Sequence, residues 1–203
     1  MKSKILSLVL LGLLMEGCVT VESPKYQVLQ ANEEFEIRQY NPVIVAETFV
    51  ASEFNDAGTI GFRRLADYIF GANTTQAKIA MTAPVAQTPA SEKIAMTAPV
   101  GQTPTRDGFV ISFNMPAGYT LESLPRPRDS AVVLRQTSAQ KVAAIKFSGT
   151  WSESRYHEKL AELRQWMEKK SLQEAGPPTY ARYDPPWTLW FLRRNEILVE
   201  IRQ

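Results

Sequence analysis

One histidine and one cysteine set the limits of the chemistry open to this 203-residue chain. His157 is the only imidazole and Cys18 the only thiol. A structural zinc site takes about four nitrogen or sulfur ligands, so this pair builds none. A nucleophilic triad also lacks its signature: no G-x-S-x-G elbow occurs, and no spacing gives Ser, Asp and His157 defined roles. What remains is suited to holding a ligand. His157 and the thioethers of Met81 and Met96 are the soft nitrogen and sulfur donors at hand, and each has a plainer reading. His157, expected on a solvent-exposed shoulder of the second helix, reads first as polar surface, and the methionines, which alternate with Ile and Val, read as packing. Glu47 stands in the otherwise apolar stretch 43–50. Inside a groove its pKa would rise and it could move protons, whereas pointing outward it would be an ordinary solvated carboxylate.

A helix must position most of the candidate binding residues. Asn55 or Asp56 can cap a helix running to Phe70, with Gly71 as its stop. Phe62, Leu65, Ala66 and Ile69 recur at i, i+3, i+4 and i+7 as one apolar stripe. At about 100° per residue, Arg63 and Phe70 fall together beside that stripe, and Arg64 and Tyr68 fall off its other side. The stripe is either core or the wall of a groove, and periodicity by itself favours core. Arg63 is therefore the better placed arginine for an acidic ligand group, with solvated surface as the alternative.

Strands are expected at 26–30, 35–40, 43–50, 109–115, 131–136, 141–147, 179–183, 189–192 and 196–202, from β-branched and aromatic alternation between turn residues. A second helix opens on the capping-box pattern Thr150-Trp151-Ser152-Glu153. Its stripe is Tyr156, Leu160, Leu163 and Met167, with Trp166 at the edge, and Gly176-Pro177-Pro178 ends it. Strands, helix, strands, written twice, is an α+β pattern with two similar halves. The groove where such halves meet is a usual home for small molecules. Trp187, Trp190 and Phe191 offer aromatic surface or core near Arg193-Arg194-Asn195-Glu196, a charged patch that reads more readily as a turn with ion pairs than as a grip for acidic ligand groups.

One phrase is written twice: Lys78-Ile79-Ala80-Met81-Thr82-Ala83-Pro84-Val85 recurs identically from Lys93 to Val100. Two copies are too few for a solenoid, so one copy is expected in the sheet and the other in a loop or arm. Pro84 and Pro99 lack the N–H that a central strand donates, so each copy should end at its proline or lie at an edge.

The chain's beginning has a different character. Lys2 and Lys4 precede an apolar run from 5 to 15, shorter than the roughly 20 residues that span a membrane and suited to a signal-peptide core. Gly17-Cys18 then resembles a bacterial lipoprotein signal, from which Glu16 departs. The expected organisation is a signal peptide over 1–17, a tether over 18–25 and a folded domain over 26–203, anchored by acyl chains on Cys18. Val19, where an aspartate would retain the protein at the inner membrane, favours the outer membrane of the bacterial envelope. A net charge of +2 supplies no field that argues for a nucleic-acid partner.

Taken together, KIAMTAPV, Glu36-Ile37-Arg38 leading to Tyr40, Asp67-Tyr68-Ile69-Phe70-Gly71-Ala72-Asn73, Lys146-Phe147-Ser148-Gly149, Tyr183-Asp184-Pro185-Pro186 and Arg193-Arg194-Asn195-Glu196 resemble the SOUL family of haem-binding proteins. The resemblance covers roughly 26–201. It implies a distorted antiparallel β-barrel or sheet flanked by two helices, with a pseudo-two-fold repeat, similar to gyrase-inhibitor-like effector-binding domains. It implies non-covalent binding of haem or another tetrapyrrole in a hydrophobic groove beside the first helix, and no catalytic motif. On that basis the expected cofactor contacts are Phe62, Arg63, Leu65, Ala66, Ile69 and Phe70, with weak or absent axial ligation and a role in carriage or buffering. The alternative is an effector-type module that binds or hydrolyses another apolar small molecule, with Glu47 as the residue of interest.

Overall fold

The computed structural model describes residues 21–75 and 90–202. Cys18, Met81 and the first KIAMTAPV copy lie outside the described residues. β1 (Tyr26–Asn32) and β2 (Phe35–Tyr40) pair as a hairpin. Along β2 the two-residue period buries Ile37 on one face and turns Glu36, Arg38 and Tyr40 to the other. β3 (Ile44–Val50) does the same with Ala46 and Val50 against Val45 and Glu47. Then follow α1 (Phe54–Ile69), β4 (Asn73–Thr74), β5 (Val100–Pro104), β6 (Phe109–Asn114), β7 (Arg126–Pro127), β8 (Val132–Gln136) and β9 (Gln140–Phe147). The chain finishes with α2 (Glu153–Lys169), β10 (Thr179–Arg182) and β11 (Asn195–Glu200).

Nine of these strands form one curled antiparallel sheet in the order β1-β2-β9-β11-β10-β5-β6-β3-β8. Apart from β1, the order is symmetric about the β10–β5 pair. β3, α1, β5 and β6 place β6 between β5 and β3, and β9, α2, β10 and β11 place β11 between β10 and β9. Each half is thus a strand, a helix and a hairpin, which is the expected pseudo-two-fold repeat in an α+β fold.

Both helices cover the same face. α2 buries Leu160, Leu163 and Met167 with Ile145, Ile197 and Val199, each worth roughly 1.5–3 kcal/mol relative to exposure. α1 lies over β3 and β6, with Leu65 and Ile69 packed among Ala46, Ile111 and Phe113. It sits so close that a Cβ on Gly61 would overlap the side chain of Ile111.

Several local expectations are corrected, each for a physical reason. α1 starts at Phe54, after Glu53, and not from an Asn55 or Asp56 cap. The Phe54 ring is buried among Phe109, Tyr156 and Tyr180, so packing rather than a side-chain cap secures that end. Gly71, at φ 124°, closes the helix as expected. In α2 the cap is Ser152, whose Oγ accepts from the Arg155 N–H, and not Thr150. That helix stops at Lys169, before Gly176, because Ser171 adopts φ 56° and Leu172 N–H returns to Met167 O. The stretch 189–192 holds a 3-10 turn, Trp190–Leu192, in place of a strand. The second KIAMTAPV copy is not a strand either: Thr97 makes an isolated bridge with Glu22, and β5 begins only at Val100, after Pro99. Among the described residues no helix is long and apolar enough to cross a membrane.

Candidate functional site

α1 divides its side chains between the core and an open shoulder. Leu65 and Ile69 are fully packed against the sheet, at 0% and 1% exposure, so they lie beneath any ligand on this helix. Ala66 sits at the margin. Phe62 and Phe70 are 39% and 58% exposed, and Arg63 is exposed between them. Phe62 is steadied from below by an edge contact with Phe113, ring centroids 5.4 Å apart. The structure therefore brings Phe62, Arg63 and Phe70 to one accessible shoulder, with Ala66 buried at its margin.

The two arginines of this helix have different surroundings. Arg64 donates to Thr48 Oγ1 at 2.7 Å and Phe49 O at 3.1 Å and lies 3.4 Å from Asp129, so it is committed to β3 and the loop before β8. Among the described residues no carboxylate pairs with Arg63. The second KIAMTAPV copy docks at the same helix end. Ile94 N–H donates to Ile69 O at 2.8 Å, and the Asn73 amide bridges Tyr68 O, Glu92 O and Glu92 N–H. Met96, half-buried, packs on the same core. His157 is on α2, exposed, with Nε2 3.7 Å from Glu153. Among the described residues no grouping of three or more His, Cys, Asp or Glu could hold a metal ion.

The opposite face of the sheet carries a trough that the sequence reading did not locate. It encloses about 290 Å³ and is lined by both halves, including Val45, Glu47, Ser112, Arg135, Thr179 and Tyr183. Glu47 lies here, accepting from Arg135 Nε at 2.7 Å and Nη2 at 2.6 Å. The bond to Glu47 raises the Arg135 pKa. Glu47 is therefore half of a bidentate ion pair, and any acid–base use would first require that pair to open.

Tyr40 and Tyr183, at one end of the trough, connect it to a buried charge cluster. Arg38 Nη1 donates to Glu196 Oε2 at 2.6 Å, and the two side chains are 1% and 0% exposed. Glu36, Arg194 and Tyr183 complete the network. Burial opposes the Arg38 charge, but its hydrogen bond and attraction to Glu196 outweigh that and raise its pKa. Burial likewise pushes Glu196 up, and the two arginines overcome it and hold the carboxyl below its usual range. Tyr183 is raised by burial and by Glu196. Arg193-Arg194-Asn195-Glu196 is thus ion-paired through Arg194 and Glu196, as expected, but it is not a turn: Asn195 and Glu196 open β11. The signal was present in sequence as complementary charges at two-residue spacing, Glu36/Arg38 and Arg194/Glu196, though no spacing rule joins strands so distant along the chain.

Comparisons with known proteins agree with this architecture. A family model described as SOUL heme-binding protein matches residues 21–200. Heme-binding protein 2 of Mus musculus is 28% identical over 177 residues, covering 82% of this chain and 81% of that protein. Heme-binding protein 2 of Homo sapiens is 29% identical over 174 residues, covering 80% and 79%. Among solved structures, the EcmrR C-terminal domain superposes with a TM-score of 0.59 at 12% identity, covering 88% of this chain and 98% of that one. A hydrolase from Listeria innocua gives 0.54 at 12% identity, covering 83% and 92%. At such identity the structural likeness speaks to the fold alone.

Proposed function

The chain belongs to the SOUL haem-binding family, and we propose that it holds haem or a related tetrapyrrole non-covalently on the exposed shoulder of α1, as a carrier or buffer in the bacterial envelope. The observation that carries this reading is the pairing of exposed aromatic rings, Phe62 and Phe70, with an arginine that no described carboxylate neutralises, Arg63. These residues fit the group: a flat macrocycle offers an apolar face for the rings and acidic propionates for the guanidinium. Leu65 and Ile69 support the shoulder from beneath, and Ala66 keeps its middle low enough for a flat face to approach. When bound, the group supplies an iron centre whose reactivity depends on its axial ligands. His157 stands on the other helix beside Glu153, and Met96 is half-buried, which supports weak axial ligation.

Haemin titrated into the protein should produce a saturable Soret change. Arg63→Ala should weaken binding about tenfold, the loss expected for one charge-assisted hydrogen bond. His157→Ala should leave affinity and spectrum nearly unchanged. A spectrum that depends on His157 and not on Arg63 would sink this assignment of residues.

The trough favours a second reading. Its volume of about 290 Å³ lies near the bottom of the range for ligand pockets, roughly 300–1,000 Å³, and suits a molecule smaller than a porphyrin. The effector-type alternative would use this cavity, with the Glu47–Arg135 pair as its polar contact. Thermal stabilisation by small non-porphyrin compounds, lost in Glu47→Gln, would support it.

A further inference from the structure

The segment from Pro185 to Leu192 carries no charged side chain, and it shows its apolar ones to solvent. Trp187, Leu189, Trp190, Phe191 and Leu192 are 82%, 58%, 58%, 52% and 65% exposed. Large apolar side chains scattered singly on a surface need no explanation, but a contiguous cluster does.

This cluster is held out rather than left loose. Arg193 Nε donates to Thr188 O at 2.7 Å and Nη2 to Pro186 O at 2.6 Å, while its guanidinium stacks on Trp151 at 4.3 Å. Gly149 N–H donates to Trp190 O at 3.0 Å, and Asp184 caps the Arg194 N–H at 2.6 Å. The 3-10 turn Trp190–Leu192 fixes the far side, with Trp190 and Phe191 in edge contact. The fold thus uses an arginine, an aspartate and a glycine amide to keep a greasy loop from collapsing onto the core.

We infer that the loop formed by residues 185–192 is a membrane-interface element, which seats Trp187 and Trp190 in the headgroup region of a lipid bilayer with Leu189, Phe191 and Leu192 below them. Three observations select lipid over a protein surface. Two indoles and three hydrocarbon side chains are the composition that interfaces favour, since an indole is apolar with one N–H for the wet layer. The apolar side chains project from a turn, Trp190–Leu192, none of whose residues is buried. Finally, the sequence outside the described residues contains the apolar run 5–15 and Cys18, so an expected membrane tether belongs to the same chain. The contact rests on apolar burial, so it should occur on zwitterionic vesicles and change little with salt.

Brominated-lipid quenching of tryptophan fluorescence tests this on the full chain reconstituted with phosphatidylcholine vesicles. Trp166 is buried and Trp151 half-buried under Arg193, so quenching by lipid reports mainly on Trp187 and Trp190. The expected result is strong quenching, unchanged by added salt and largely lost in Trp187→Phe/Trp190→Phe, a substitution too mild to unfold the domain. A second variant, Trp187→Ser/Trp190→Ser, should lower vesicle partitioning of the loop at least about tenfold. Equal quenching in wild type and the phenylalanine variant would overturn the inference. So would emission that remains water-exposed on vesicles, or a blue shift that follows protein concentration without lipid, which would assign the loop to contact between copies of this chain.

Discussion

Phe62 and Leu65 are neighbours on one helical stripe and have different fates. Periodicity grouped them correctly as apolar, but only packing distance separates a ring steadied on Phe113 from a leucine buried under it. Arg63 and Arg64 show the reverse case: a helical wheel placed them on opposite sides, and Arg64 does turn to Thr48 and Asp129. Glu196 was read from its motif as part of an ion-paired turn, without its depth or its place in β11. Glu196 is completely buried and receives charge-assisted hydrogen bonds from Arg38 and Arg194. Glu196→Ala would leave Arg38 buried with Glu36 as its one remaining carboxylate partner, and should cost roughly 3 kcal/mol in urea unfolding. Because the folded pKa of Glu196 lies below its ordinary 4.5, its contribution is complete above that pH and fades as pH falls through the folded value. Wild type should therefore lose stability on acidification below about pH 4.5 more steeply than Glu196→Gln. Parallel acid limbs would show that this carboxyl is not depressed.

At the scale of elements, α1 and α2 were legible because a 3.6-residue period is written continuously in the sequence. The residues expected on the α2 stripe, Tyr156, Leu160, Leu163, Trp166 and Met167, are all buried. The short strands β4 and β7 were not legible, since a two-residue ladder has no periodicity to read. The second KIAMTAPV copy misled in a different way. Its alternation reads as a strand, yet its apolar residues serve as a strap on α1, with Ile94 in the core and Met96 half-buried. Tertiary packing and a proline overrode local pattern. The close seat of α1 on β6 gives a test at this scale. Gly61→Ala should destabilise by roughly 1–3 kcal/mol, since Ile111 or the helix must move, and urea midpoints would measure it. A neutral result would mean that α1 rides higher than described.

For the whole molecule, the double writing of strand, helix and hairpin predicted the architecture, and the symmetric strand order about β5 and β10 is its physical expression. The trough was invisible in sequence because its lining comes from alternate positions of strands far apart along the chain. The proposed envelope location rests on residues outside the described ones, so its test is cellular. Cys18→Ser should move the protein from the membrane fraction to the soluble fraction of a bacterial host when paired with Trp187→Ser/Trp190→Ser. An unchanged membrane fraction would remove both anchors at once.

Two surfaces compete for the ligand, and one comparison separates them. Haemin affinity should fall by at least tenfold, roughly the effect of losing one apolar wall, in Phe62→Glu/Phe70→Glu. Because Phe62 rests on Phe113, the urea midpoint of that variant is measured alongside to show that the domain stays folded. Haemin affinity should stay unchanged in Ser112→Trp, which would crowd the trough on the other face. Intact binding in the glutamate variant, with loss in the tryptophan variant, would contradict the account and move the tetrapyrrole to the far side of the sheet.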